Sequence, residues 1–209
     1  MCNKYFNFNQ KFLSLLQMVS PYLASKKAFL MYCQHRAMPA PLRKLEIPTM
    51  ADAKKEVLHL DGKKIMTYTW GHAGKPVLLV HGWGARAARF SLFVKALVKN
   101  GYQPIAFDAP GHGESTGCST NIIECLKIMR RIQEKHKKFA AIIAHSVGVL
   151  YAFYAVKNGV STNSIVAISG VSEFMHTTNN FSRIHKLNEQ TYTHFKKRVE
   201  KAFEPTTDI

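Results

Sequence analysis

Residues 140–153 read AAIIAHSVGVLYAF. Residues 141–144 are the short apolar run of a buried strand, His145-Ser146-Val147-Gly148 breaks it, and residues 149–153 resume at helical spacing. A serine at the apex of a strand–turn–helix is where a nucleophile would sit, and such a serine needs a base to take its proton. His145 adjoins Ser146, but neighbouring side chains on so sharp a turn point different ways, so His145 reads as structural. Two further loops carry chemically capable residues: HGWG at 81–84 and DAPGHGES at 108–115.

Elements must exist to hold these loops. From residue 76 the chain alternates apolar runs with amphipathic ones. PVLLVHGW reads as a strand, RFSLFVKALVKNGY as a helix ending at Gly101, and QPIAFDAPGHGES as a strand entering a glycine-rich turn. NIIECLKIMRRIQEKH follows as a helix, FAAIIAHS as a strand, VGVLYAFYAVKNG as a helix ending at Gly159, and SIVAISG as a last strand. Apolar strands alternating with helices imply a mostly parallel sheet with helices on both faces, an α/β class. Ahead of them, EVLHLDGKKIMTYTWG (56–71) reads as a hairpin turning at Asp61-Gly62. We divide the chain into a basic helical segment with a proline-punctuated linker (1–50), a core (51–170) and the start of a helical cap (171–209). Pro39, Pro41 and Pro48 favour extended backbone in the linker.

All three loops leave the C-terminal ends of strands, where open α/β sheets place their sites. Their order and spacing, from about residue 56 to 170, resemble the α/β-hydrolase fold family, in its branch of serine esterases, lipase-like enzymes and thioesterases. Ala144 stands where that family's G-x-S-x-G pattern has its first glycine; Gly148 matches the second. The resemblance implies Ser146 as nucleophile, with the backbone N–H groups of Trp83 and Val147 holding the oxyanion. One such donor is worth about 3 kcal/mol. Gly82 and Gly84 let the HGWG backbone turn its N–H groups inward. His81 is expected to orient that loop, and Asp108 and His112 to do turn chemistry.

In this family the acid follows a later strand and the histidine follows the last one. No strand–loop pattern of that kind follows SIVAISG, so the sequence reads as a hydrolase lacking its C-terminal strands. Glu173 is a weak candidate for the acid. His176, His185 and His194 fall in the cap stretch, where surface positions are expected.

The 209 residues carry a net charge of +16, and no acid precedes Glu46. No zinc spacing and no nucleic-acid-binding motif accompanies that charge, so we do not read a nucleic-acid partner. Cys2, Cys33, Cys118 and Cys125 form no pair spacing and read as free thiols of a reducing, cytoplasmic compartment. Cys118 and Cys125 could share a helix face. Residues 12–33 contain Pro21 and Lys26-Lys27, so they read as two amphipathic helices meeting near Pro21 rather than a membrane span. Those helices dock on the body of the protein or, through residues 1–45, contact an anionic membrane surface peripherally. The expected function is hydrolysis of a small acyl ester or thioester through a Ser146 acyl-enzyme, with no metal and no organic cofactor. The alternative is a non-catalytic remnant of such an enzyme, serving in binding or at the membrane surface.

Overall fold

Asp61 and Gly62 take positive φ values of 48° and 73°, the geometry of a two-residue hairpin turn. The turn joins β1 (Lys54–Leu60) to β2 (Lys63–Thr69), paired antiparallel from Lys54↔Thr69 to Leu60↔Lys63. The computed structural model describes residues 2–33, 42–170 and 174–203. They form two units, one from residues 35–172 and one from the two ends of the chain, 1–34 with 173–209.

In the larger unit β1 and β2 continue into β3 (Lys75–Val80), β4 (Tyr102–Phe107), β5 (Ala141–His145) and β6 (Ile165–Ile168). The sheet order is β1-β2-β4-β3-β5-β6, antiparallel through β2 and β4 and parallel from β4 onward. The helices between them are α4 (Ser91–Lys99), α5 (Ile122–His136) and α6 (Val147–Lys157). Gly101 (φ 75°) and Gly159 (φ 92°) follow α4 and α6, where a left-handed residue commonly ends a helix. At the start of α5, Asn121 caps by accepting the Glu124 N–H at 2.9 Å. One face of that helix buries Ile122, Cys125, Leu126, Met129 and Ile132 at spacings of three and four. The mostly parallel expectation therefore holds: three of the five pairings are parallel, and the two antiparallel ones lie at the β1-β2 side of the sheet. β6 pairs with β5 alone among the described strands, and Val166 is 45% exposed on it.

A short helix, α3 (Glu46–Ala51), occupies the end of the stretch read as extended linker, which corrects that reading. Pro48 is its third residue, where the N–H would have no intrahelical acceptor, so proline does not disrupt it. The Trp70 indole donates to the Thr49 carbonyl at 2.7 Å, tying α3 to the end of β2. The earlier part of the linker, through residue 41, lies outside the described residues.

The smaller unit joins segments that the sequence reading kept apart. α1 (Cys2–Val19) and α2 (Pro21–Cys33) meet at Ser20, whose hydroxyl accepts the Leu23 N–H at 3.3 Å. They pack with α7 (Phe174–His185) and α8 (Glu189–Phe203) around Leu13, Ala24, Ala28, Phe195 and Val199. Buried Gln17 accepts the Asn188 N–H at 2.7 Å, and Arg198 donates to the Ser25 hydroxyl at 3.1 Å. The helices α1 and α2 are thus not independent of α7 and α8: their apolar faces complete each other. His185 corrects the expectation of a cap-surface histidine, because it is buried against Phe181 one turn earlier, ring centroids 4.2 Å apart. His194 is exposed, edge-on to Tyr22.

Candidate active site

β5 and α6 are joined by a single sharp residue. Ser146 has φ 54° and ψ −128°, a conformation that side-chain sterics disfavour. Two contacts hold it there: its N–H donates to the Ile168 carbonyl at 3.0 Å, and its carbonyl accepts the Val149 N–H at 3.0 Å. Val147 is then the first residue of α6, so the positive end of that helix lies beside the serine.

The turn is tight enough to select its neighbours. A Cβ on Gly148 would lie 2.6 Å from the Val80 carbonyl oxygen and 2.7 Å from that of His81. A Cβ on Gly82 would lie 2.8 Å from the Ser146 Cβ. Only glycine lets α6 sit against the end of β3, and only glycine lets the 81–84 loop close on the serine. Gly84 has φ 72°, a left-handed turn within that loop. Trp83 and Val147 therefore follow the two residues that touch, one on each side of the contact.

Two histidines fasten the 81–84 loop to the 108–115 loop. His81 is buried; its Nε2 accepts the Ala109 N–H at 3.0 Å, so its Nδ1 carries the proton and donates to the Gly82 carbonyl at 2.8 Å. His112 repeats the pattern, with Nε2 accepting the Gly84 N–H at 3.2 Å and Nδ1 donating to the Pro110 carbonyl at 3.0 Å. Both imidazoles are neutral orienting groups here.

Beneath them lies Asp108, buried among donors. Its Oδ1 accepts the Ala87 N–H at 2.8 Å, and its Oδ2 accepts the Tyr68 hydroxyl and the Glu114 N–H, both at 2.8 Å. Burial holds its carboxyl above the ordinary carboxylate range, with the Ala87 and Glu114 amides and Tyr68 pulling the other way. Burial, and then Asp108, raise the Tyr68 phenol as well. Asp108 thus ties β2, β4 and the segment after HGWG together. Its partners lie 21 and 40 residues away, so the sequence signalled the turn but not the tie.

A cleft of about 420 Å³ opens at this end of the sheet, lined by Arg43, Trp83, Arg89, Phe90, Phe93 and His145 among others. Ile168, whose carbonyl holds the Ser146 N–H, also lines it. Of the candidate residues, Trp83 and Gly84 line the cleft, and Gly82, Ser146, Val147 and Gly148 meet at the turn beside it. Arg43 and Arg89 were not anticipated: they come from outside the three loops, with no spacing to mark them. Glu173 and the side chain of His176 lie outside what the structure describes. Among the described residues no histidine is hydrogen-bonded to the Ser146 hydroxyl, and no cluster of three His, Cys, Asp or Glu could hold a metal ion.

Comparison with known proteins agrees with this fold. A family model described as serine aminopeptidase, S33, matches residues 71–202. A serine hydrolase-like protein of Danio rerio is 33% identical over 115 residues, covering 51% of this chain and 35% of its own. A non-heme chloroperoxidase of Kitasatospora aureofaciens is 43% identical over 56 residues, 27% of this chain and 20% of its own. The chain thus spans about a fifth to a third of the curated relatives it matches. The crystal structure of an epoxide hydrolase A from Mycobacterium thermoresistibile shares the fold, with a TM-score of 0.52 at 21% identity, over 63% of this chain and 44% of that one.

Proposed function

Because the chain belongs to the serine aminopeptidase S33 family of α/β hydrolases, we propose that it hydrolyses a small carboxylic ester or thioester through an acyl-enzyme on Ser146. The observation that carries this reading is the serine itself, held at φ 54° between a strand and a helix, with Gly82 closed against it. Strain of this kind persists where the surroundings enforce it, and it aims the hydroxyl clear of the sheet. Ser146 Oγ attacks the carbonyl carbon, the C–O bond forms, and the hydroxyl proton passes to a general base. The Trp83 and Val147 N–H groups hold the developing oxyanion. The alcohol or thiol departs with a proton, and water then attacks the acyl-enzyme to release the acid and restore Ser146. No step calls for a metal or an organic cofactor.

A second reading is supported by one observation: among the described residues, no histidine is hydrogen-bonded to the Ser146 hydroxyl. On that reading the fold binds acyl compounds without turning them over, since a serine without a base attacks poorly. Labelling with a fluorophosphonate separates the two. Covalent modification that disappears in Ser146→Ala supports the nucleophile; a folded chain that stays unlabelled supports the binding protein.

We place the protein in the cytoplasm, touching an anionic membrane surface through α1 and α2. The support is an acid-free pair of helices with outward Leu15, Met18 (84% exposed) and Val19 (77% exposed) beside Lys11 and Lys26. No helix among the described residues is long and apolar enough to cross a membrane.

A further inference from the structure

Arg43 and Arg89 share a single acid. The Arg43 Nε and an Arg89 terminal nitrogen each lie 3.9 Å from the same Glu46 oxygen, Oε1. The other Glu46 oxygen accepts the Arg43 backbone N–H at 2.9 Å, so the carboxylate is fixed in place at the start of α3. Glu46 is buried, with its side chain 5% exposed, while the Arg43 and Arg89 side chains are 59% and 42% exposed. One carboxylate balances one guanidinium. The wall formed by these three residues therefore keeps one positive charge, on donor forks that face the cleft and water.

The cleft that these arginines line runs toward the elbow, where His145 and Ile168 complete it. Its other walls are aromatic, from Trp83, Phe90 and Phe93. A passage of about 420 Å³ with aromatic walls, with the neighbours of Ser146 at one end and two arginines at the other, suits a molecule of the complementary layout. Resting on the reading of Ser146 as nucleophile, we infer that the substrate is an ester or thioester that also carries an anionic group, a carboxylate or phosphate, seated between Arg43 and Arg89. A guanidinium fork matches the geometry of either anion. The neutral walls then carry the few carbons between the anion and the reacting carbonyl.

The test is a binding measurement that needs no turnover. Trp83 lies in the cleft and the second tryptophan, Trp70, is buried at the end of β2, so fluorescence in Ser146→Ala reports occupancy near Trp83. Three probes are titrated: glutarate, glycerol 3-phosphate and the neutral glutaramide. At least one anion is expected to bind tenfold or more tightly than glutaramide, and its identity tells carboxylate from phosphate. That affinity should fall at least tenfold in R43Q/R89Q and stay unchanged in K95Q/K99Q, which removes the same charge from the exposed side of α4. Equal binding of glutaramide and both anions, or no binding of either anion, overturns the proposal on the unmodified arginines alone, even if R43Q/R89Q fails to fold. Unchanged anion affinity in a folded R43Q/R89Q overturns it too. Fluorophosphonate labelling of the Ser146 chain is run beside it, so loss of the nucleophile reading and loss of the anion seat give different patterns.

Discussion

Gly82 lies so close to Ser146 that a Cβ added to it would fall 2.8 Å from the serine Cβ and 3.0 Å from the His145 carbonyl oxygen. The 81–84 loop and Ser146 are therefore positioned by mutual contact. Gly82→Ala is expected to push them apart, costing about 1–3 kcal/mol of stability. It should slow fluorophosphonate labelling roughly a hundredfold, because an ångström of misplacement is that costly. Gly148→Ala meets two carbonyl oxygens of the β3 end at still shorter range, so its loss of stability should be the larger. Labelling kinetics and thermal melts of the two variants check both statements.

Ser146 should be a site where stability and reactivity oppose each other. Its φ of 54° suits glycine better than any side chain. Ser146→Gly is expected to raise stability by about 1 kcal/mol while abolishing labelling. A melt unchanged or lowered by this substitution would show that the turn is not strained.

Acid should weaken the helical unit through His185. Burial holds its imidazole below the ordinary value of 6.5, so the unfolded chain binds the proton more readily than the folded one. The contribution is complete above pH 6.5 and is lost as pH falls through that value toward the folded-state one. His136 on α5, lowered by burial and then by Lys135, acts in the same direction in the sheet unit. In His185→Phe the acid limb of the melting temperature against pH should flatten; an unchanged limb would assign it elsewhere.

Cys118 and Cys125 should differ sharply toward iodoacetamide. Cys118 is exposed in the loop ahead of α5, whereas Cys125 is buried within that helix, its thiol pushed up to about 12 by burial. They do not share a helix face. Peptide mapping after alkylation of the native chain at pH 8 should find Cys118 modified and Cys125 untouched until the protein is unfolded.

Vesicle co-sedimentation tests the membrane contact. Binding is expected to phosphatidylserine-containing vesicles and not to phosphatidylcholine alone. Deleting α1 and α2 would remove Leu13, Ala24 and Ala28 from their core, so point substitutions are the cleaner probe. Leu15→Asp with Val19→Asp, both outward, should lower binding roughly tenfold with little change in melting. Equal sedimentation of variant and parent would remove these helices from the membrane reading.

What could be read from sequence was what is encoded locally. Asp61-Gly62, the helix-ending Gly101 and Gly159, and the strand–serine–helix run around Ser146 each announce themselves within a few residues, because turn sterics and periodicity act at that range. Gly148 was legible for the same reason. The pairing of Arg43 and Arg89 on Glu46 was not, since nothing local distinguishes those arginines among 29 basic residues. Nor was the union of α1 and α2 with α8, whose apolar stripes lie more than 160 residues apart and recognise each other only by burial. Pro48 misled for an instructive reason: proline forbids the middle of a helix but suits its first turn.

The sheet order sets a timetable for synthesis. β2 pairs with β4, yet Thr69 and Tyr102, the end of one and the start of the other, are 33 positions apart, with β3 between them in sequence. At about 5–20 residues per second, the hairpin emerges from the ribosome and waits on the order of 2–7 s for its neighbour to be made. Through that interval the outer flank of β2 is an unpaired edge, the kind other nascent chains can extend. Lys63, Lys64 and Thr67 lie along it, so charge and a hydroxyl, rather than an unbroken apolar run, greet whatever arrives first.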